Sequence, residues 1–214
     1  MSDVKAGPAR RRYRSPLREE SARRTRQAVV AAARELFVAR GYAATSLADV
    51  AAAAGVARPT VFAAFGSKAA LLHRVVDEAL AGDDEPVPVA ERPWFRPVFE
   101  AAGQEAVLDA YARVAELIGA RAAQVFETVR RAADAAPEAA ELWRTMVDNR
   151  RAGARMVVER LTSLGPLAVE TERAIDVVWF YNDPAHYAAL VTGRGWPPDA
   201  YVAWLSSQMR QAVL

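Results

Sequence analysis

Residues 45–65, TSLADVAAAAGVARPTVFAAF, decide the fold, because they have the pattern of two short helices joined by a glycine turn. Apolar residues recur at i, i+3, i+4 and i+7, as on one buried helix face: Leu47, Val50, Ala51 and Ala54. Ser46 followed three residues later by Asp49 approximates a capping box, and Gly55 stands where a helix end often needs a positive φ. The stretch therefore predicts a helix-turn-helix.

Two helices this short bury little surface by themselves, so further helices must support them. Upstream, Thr25 to Arg40 carries apolar residues at helical spacing, and Gly41 stands at a C-terminal cap position. Downstream, Ser67 is a suitable N-cap for a fourth helix over about 68–81. The rest of the chain has helical periodicity and no convincing strand, which predicts an all-α fold.

Residues 36–72, LFVARGYAATSLADVAAAAGVARPTVFAAFGSKAALL, resemble the TetR family of bacterial transcriptional regulators. The resemblance covers Thr25 to about Leu80 and rests on phenylalanine, glycine, threonine and lysine residues at fixed spacing. It implies a three-helix helix-turn-helix head followed by a helical-bundle domain for dimerisation and effector binding. The implied function is that of a repressor that binds a palindromic DNA operator as a homodimer and is released by an unknown small-molecule effector.

Three regions are expected: a basic, disordered arm over 1–22, the DNA-binding head over 23–68, and the ligand-binding and dimerisation domain over 69–214. Helix 4, at about 68–81, connects head and body, and the proline-rich stretch 82–97 follows it. Residues 1–80 carry 14 Lys and Arg against 7 Asp and Glu, whereas residues 81–214 carry 14 against 19. A basic head on an acidic body is the polarity expected of a protein that binds DNA by one end.

The composition argues against several other classes of protein. The chain has no cysteine, so disulfides and thiolate metal sites are excluded, and no apolar run approaches the roughly 18 residues of a membrane span. A cytoplasmic location is therefore expected. His73 and His186 lack partners at metal-ligand spacing, and no phosphate-binding glycine loop or nucleophile elbow is present, so we expect no metal, no cofactor and no enzyme activity.

Arg58 is the best candidate for a base contact, because its guanidinium can pair with guanine O6 and N7 in the major groove. The resemblance places the other DNA contacts of the head at Thr45, Ser46, Ala57, Pro59, Thr60, Phe62, Ala63, Ala64 and Lys68. Thr45 and Lys68 match positions that clamp the DNA backbone, although a lysine that starts a helix can also be merely solvated. Phe62 replaces a tyrosine that usually donates to a phosphate, and three alanines replace commonly polar residues. Methyl contacts and DNA shape are therefore expected to contribute more to DNA recognition.

The arm offers further cations that can follow the DNA backbone or enter an adjacent minor groove: Arg10, Arg11, Arg12 and Arg14. A merely solvated tail is the alternative.

In the body, residues 174–181 are apolar on nearly every side, which favours burial against a partner copy as well as within the subunit. The predicted dimer interface comprises Ile175, Val178, Trp179, Tyr201, Trp204, Leu205 and Met209, with full burial inside one subunit as the alternative. The candidate effector-binding residues are Tyr111, Phe126, Trp143, Met146, Asn149, Met156 and Trp179, although residues of this kind are more often ordinary core residues than ligand contacts.

A non-specific architectural DNA-binding protein is the alternative function, because the recognition helix is rich in alanine and the arm is rich in arginine. The acidic body of more than 130 residues argues against it, since coating DNA does not require such a domain.

Overall fold

The computed structural model describes residues 16–214, and within this range the chain is helical with no strand. The prediction of an all-α fold is therefore confirmed. The arm candidates Arg10, Arg11, Arg12 and Arg14 lie outside the described residues.

The head consists of helices α1 (Pro16–Arg40), α2 (Leu47–Ala53), α3 (Arg58–Phe65) and α4 (Lys68–Ala81). Helix α1 begins at Pro16, so the assignment of residues 16–22 to a disordered arm is wrong. The physical reason is that residues 17–24 are exposed, and a solvated helical turn has no apolar stripe to reveal it.

Local signals set the ends of the head helices as the sequence indicates. The Ser46 and Asp49 capping box is present at the start of α2, and Ser67 Oγ accepts a hydrogen bond from the Ala70 N–H at the start of α4. Gly55, in the turn between α2 and α3, has φ +67°, a conformation that an L side chain rarely adopts. This turn sets α2 and α3 at 112° to each other, within the range of DNA-binding helix-turn-helix pairs.

The body contains two long helices that carry four shorter ones. Its helices are α5 (Arg96–Glu100), α6 (Gln104–Ala133), α7 (Pro137–Leu164), α8 (Thr171–Tyr181), α9 (Pro184–Tyr187) and α10 (Pro198–Val213), with a π-helical turn at Ala188–Thr192. Helix α6 is one continuous helix of 30 residues.

Two hydrophobic cores divide the molecule, and their boundary crosses α6 and α7 instead of following the linker after α4. The first core joins the head to the end of α6 and the start of α7. Its body members are Ala122, Val125, Phe126, Val129, Ala132, Ala139, Leu142 and Met146. The second core joins the start of α6 and the end of α7 to α5, α8 and α10. The head therefore shares its interior with one end of the body, and α6 and α7 connect the two cores.

Most of the predicted dimer interface lies in the interior of one subunit. The buried members are Ile175, Val178, Tyr201, Leu205 and Met209, all in the second core. Their assignment to a subunit contact is wrong, because these side chains are already buried within the second core of their own chain. Trp179 and Trp204 are half-buried. The exposed apolar surface at this place is instead Phe180, whose side chain is 56% exposed and whose ring contacts Tyr181.

Candidate nucleic-acid interface

Helix α3 presents one face to the head core and the other to solvent. Val61 is fully buried and Phe65 is half-buried, which anchors the inner face. The outer residues are all exposed: Arg58, Pro59, Thr60, Phe62, Ala63 and Ala64. Ala57 is the N-cap residue and makes no side-chain hydrogen bond, so the positive end of the helix dipole is not covered by a capping side chain. This arrangement suits insertion into a major groove, with Arg58 at the leading end.

Thr45 does not have the free hydroxyl that a backbone clamp requires. The residue is 1% exposed, and its Oγ1 donates to the carbonyl oxygens of Gly41 (2.9 Å) and Leu36 (3.3 Å). The expected phosphate contact from the Thr45 side chain is therefore wrong. The residue instead fixes the loop between α1 and α2.

Ser46 is exposed, but its hydroxyl is engaged at the start of α2. Its Oγ donates to Asp49 Oδ2 (2.6 Å) and accepts from the Asp49 N–H (3.1 Å), while the Ser46 N–H donates to the same carboxylate. These hydrogen bonds to Ser46 lower the pKa of Asp49. A DNA contact by Ser46 must therefore compete with this cap.

Lys68 is neither free nor simply solvated. Its Nζ donates to the Tyr42 carbonyl oxygen (3.0 Å) and lies 4.2 Å from the centroid of the Tyr42 ring. The Tyr42 hydroxyl in turn donates to Glu138 Oε1 (2.9 Å) at the start of α7. Burial, the main cause, and the bond to Glu138 raise the pKa of Tyr42. Tyr42, which no sequence signal singled out, thus holds Lys68 at the start of α4 and ties the head to the body.

The candidate effector residues do not converge on one cavity. Phe126 and Met146 are buried in the first core, where the Phe126 ring meets half-buried Trp143 edge to face. Tyr111 is buried in the second core, and half-buried Trp179 packs against that core. Asn149 and Met156 are exposed, so the alternative of an ordinary core residue is wrong for these two.

The amide with core partners is Asn182, at the end of α8. Its Nδ2 donates to the Tyr111 hydroxyl (2.7 Å), and its Oδ1 accepts from Arg150 Nε (3.1 Å). Arg150 also pairs with Asp183 (2.9 Å). Burial raises the pKa of Tyr111 to about 12 and lowers the pKa of Arg150. No spacing in the sequence reveals this network, because its members come from α6, α7 and the turn between α8 and α9.

A cleft of about 580 Å³ lies between α1, α4 and α6, where the head meets the body. Val30, Val75 and Ala79 form its apolar floor, and Glu35 and Glu78 are among the polar residues around it. None of the predicted effector residues lines this cleft.

Residues 16–214 contain no group of three or more His, Asp or Glu side chains that could hold a metal ion. No single helix in this range is long and apolar enough to cross a membrane, although α2 and α3 together, bent by 112°, pass the same test of length and composition.

Comparison with known proteins finds the same family for the head as the motif in residues 36–72 indicates. Residues 29–75 match the family described as bacterial regulatory proteins, TetR family. A segment of 62 residues is 40% identical to the HTH-type transcriptional repressor BdcR of Escherichia coli (strain K12). That segment spans 29% of this chain and 30% of the length of BdcR.

Solved structures extend the similarity of fold over most of the chain. A TetR transcriptional regulator from Chloroflexus aurantiacus J-10-FL superposes with a TM-score of 0.66 at 22% identity, covering 91% of this chain and 98% of that one. NalD, the secondary repressor of the MexAB-OprM multidrug efflux pump in Pseudomonas aeruginosa, has a TM-score of 0.64 at 19% identity, covering 90% and 98%. These two likenesses establish the fold of head and body together.

Proposed function

This chain belongs to the TetR family, and from that premise we propose that it is a transcriptional regulator that reads double-stranded DNA with α3. The observation that carries the proposal is the outer face of α3, on which every side chain is exposed while Val61 anchors the helix from behind. Arg58 approaches a guanine edge, and Lys68 contacts the DNA backbone from its site beside Tyr42.

Repression is the proposed mode of regulation. BdcR and NalD are both described as repressors, which supports the same mode here. A repressor of this kind acts by occupying an operator near a promoter.

The proposed active form is a homodimer, in which two heads address the half-sites of a palindrome about one or more helical turns apart. The proposed contact surface is an aromatic cluster of exposed Phe180 and half-buried Tyr181 at the end of α8 with half-buried Trp204 within α10. The Tyr181 ring lies 6.2 Å from that of Trp204, and Phe180 is the most exposed of the three. Aromatic residues of this kind are enriched at protein interfaces.

A small-molecule effector is proposed to release the DNA by favouring a dimer whose heads no longer fit both half-sites. Because binding of effector and DNA is coupled reciprocally, such an effector binds more weakly to the DNA-bound protein. Helices α6 and α7 give the coupling a physical route, since each contributes to both cores.

The arm is proposed to add phosphate contacts through Arg10, Arg11, Arg12 and Arg14. Deletion of residues 1–15, which leaves α1 intact, should weaken operator binding. It should also make the slope of log K against log salt concentration less negative, by about 0.9 for each lost phosphate contact. An unchanged affinity and slope would show that the arm is only solvated.

The proposed function is tested by competition binding of the full chain to the DNA upstream of its own gene. A regulator prefers this DNA over random DNA by roughly a thousandfold or more, whereas an architectural protein binds both about equally. Arg58→Ala should abolish most of the preference. Arg96→Ala, which removes an exposed arginine of α5 in the body, is the matched control and should leave the preference intact.

A further inference from the structure

The outer face of α3 is apolar beyond its first residue, with Thr60 as the exception. Arg58 and Phe62 are four residues apart, so they lie one helical turn apart on the same face. Phe62 is 63% exposed, whereas the other aromatic side chains of the head are buried or half-buried. Pro59, Ala63 and Ala64 extend the apolar surface on either side of it.

An exposed phenyl ring constrains which base it can meet in a major groove. All four bases present hydrogen-bonding atoms there, and thymine alone adds an apolar group, its C5-methyl. A ring that covers the N4 amine of cytosine or the O6 and N7 of guanine leaves those polar atoms without water or a partner, which opposes binding. A ring against a thymine methyl instead buries apolar surface on both sides.

Resting on the function proposed above, we propose that Phe62 is a specificity-determining residue whose ring contacts the C5-methyl group of a thymine in each half-site. The rise of about 1.5 Å per residue places Phe62 about 6 Å beyond Arg58 along α3. Base pairs are about 3.4 Å apart. The thymine therefore lies about two base-pair steps from the guanine that Arg58 contacts.

The test uses the full chain and a half-site selected by it from random DNA. Each thymine in the half-site is replaced in turn by deoxyuridine, which removes only the C5-methyl group. Wild-type protein should lose about fourfold in affinity at one position, the effect of one buried methyl-sized group. Phe62→Ala should bind more weakly overall and show no further loss at that position.

Three variants serve as controls. Phe62→Tyr keeps the ring and should keep the fourfold loss, whereas Phe62→Gln removes the apolar ring without shortening the side chain and should not. Phe99→Ala, which removes a partly exposed phenylalanine of α5, should behave as wild type. Phe62 is mostly exposed, so its replacements should leave the melting temperature unchanged, and either Phe62→Ala or Phe62→Gln suffices for the test.

The inference is overturned if no thymine gives a methyl-dependent loss with wild-type protein, or if Phe62→Ala retains that loss. Failure of the proposed function has a different outcome, because random DNA would then yield no preferred sequence with wild-type protein.

Discussion

Replacing Phe126 with alanine should loosen the DNA-binding head, although Phe126 belongs to α6 in the body. The side chain is 5% exposed and shares the first core with head residues such as Phe37 and Val75. Truncating a buried phenylalanine costs about 3–5 kcal/mol, because apolar burial is lost and a cavity remains. For a chain of this size, that cost lowers Tm by about 6–20 °C.

Hydrogen exchange of backbone amides measures which segments of the chain lose stability. In Phe126→Ala, amides of α1 and α4 should exchange faster together with those at the end of α6, because one core holds all three segments. Ile175→Ala is the matched control in the second core, where the side chain is fully buried. It should speed exchange mainly in α8 and α10.

The reasoning is refuted if Phe126→Ala speeds exchange in α6 while the head amides keep their wild-type protection. The head would then be stable without the body surface that covers it, and the shared core would be two independent ones.

Three further predictions concern DNA reading, assembly and acid stability. Arg58→Ala should cost about 1–3 kcal/mol of discrimination at one guanine, measured by binding to single-base operator variants, with Tm unchanged because the side chain is exposed. Phe180→Glu should yield monomers by sedimentation at micromolar concentration, whereas Phe99→Glu should not; dimers in both would contradict the proposed surface. Hydrogen bonding from Arg130 is the main cause that lowers the pKa of Glu127 from 4.5 to about 2. Glu127→Gln should therefore be less stable than wild type above pH 4.5, as measured by urea titration. This difference in stability should vanish as the pH falls toward 2.

Short-range signals made most of the fold predictable from sequence. Helices α7 and α10 begin at Pro137 and Pro198, because proline is favoured in the first turn of a helix and disrupts its interior. The start of α1 escaped prediction because its first turns are held by local polar contacts, such as Arg24 Nε to Glu20 Oε1 (3.0 Å), and leave no apolar stripe.

The exposed residues of α3 could be predicted from the helical period. The hydrogen-bond partners that other segments of the chain supply could not. The outward positions of α3 follow from Val61 facing inward. The roles of Thr45 and Lys68 depend on the carbonyl oxygens of Gly41, Leu36 and Tyr42, which no spacing rule brings near. Likewise, the apolar run of α8 indicates two buried faces, but it does not distinguish a partner subunit from the α7 and α10 of the same chain.

The length of α6 turns a small movement at one end into a large one at the other. Its 30 residues span about 45 Å, with the first turns in the second core and the last turns under the head. A tilt of about 5° around the beginning of α6 displaces its far end by about 4 Å, which exceeds the spacing of about 3.4 Å between base pairs. In the proposed regulator, a small rotation of α6 at the second core would therefore shift the head by more than the spacing of one base pair.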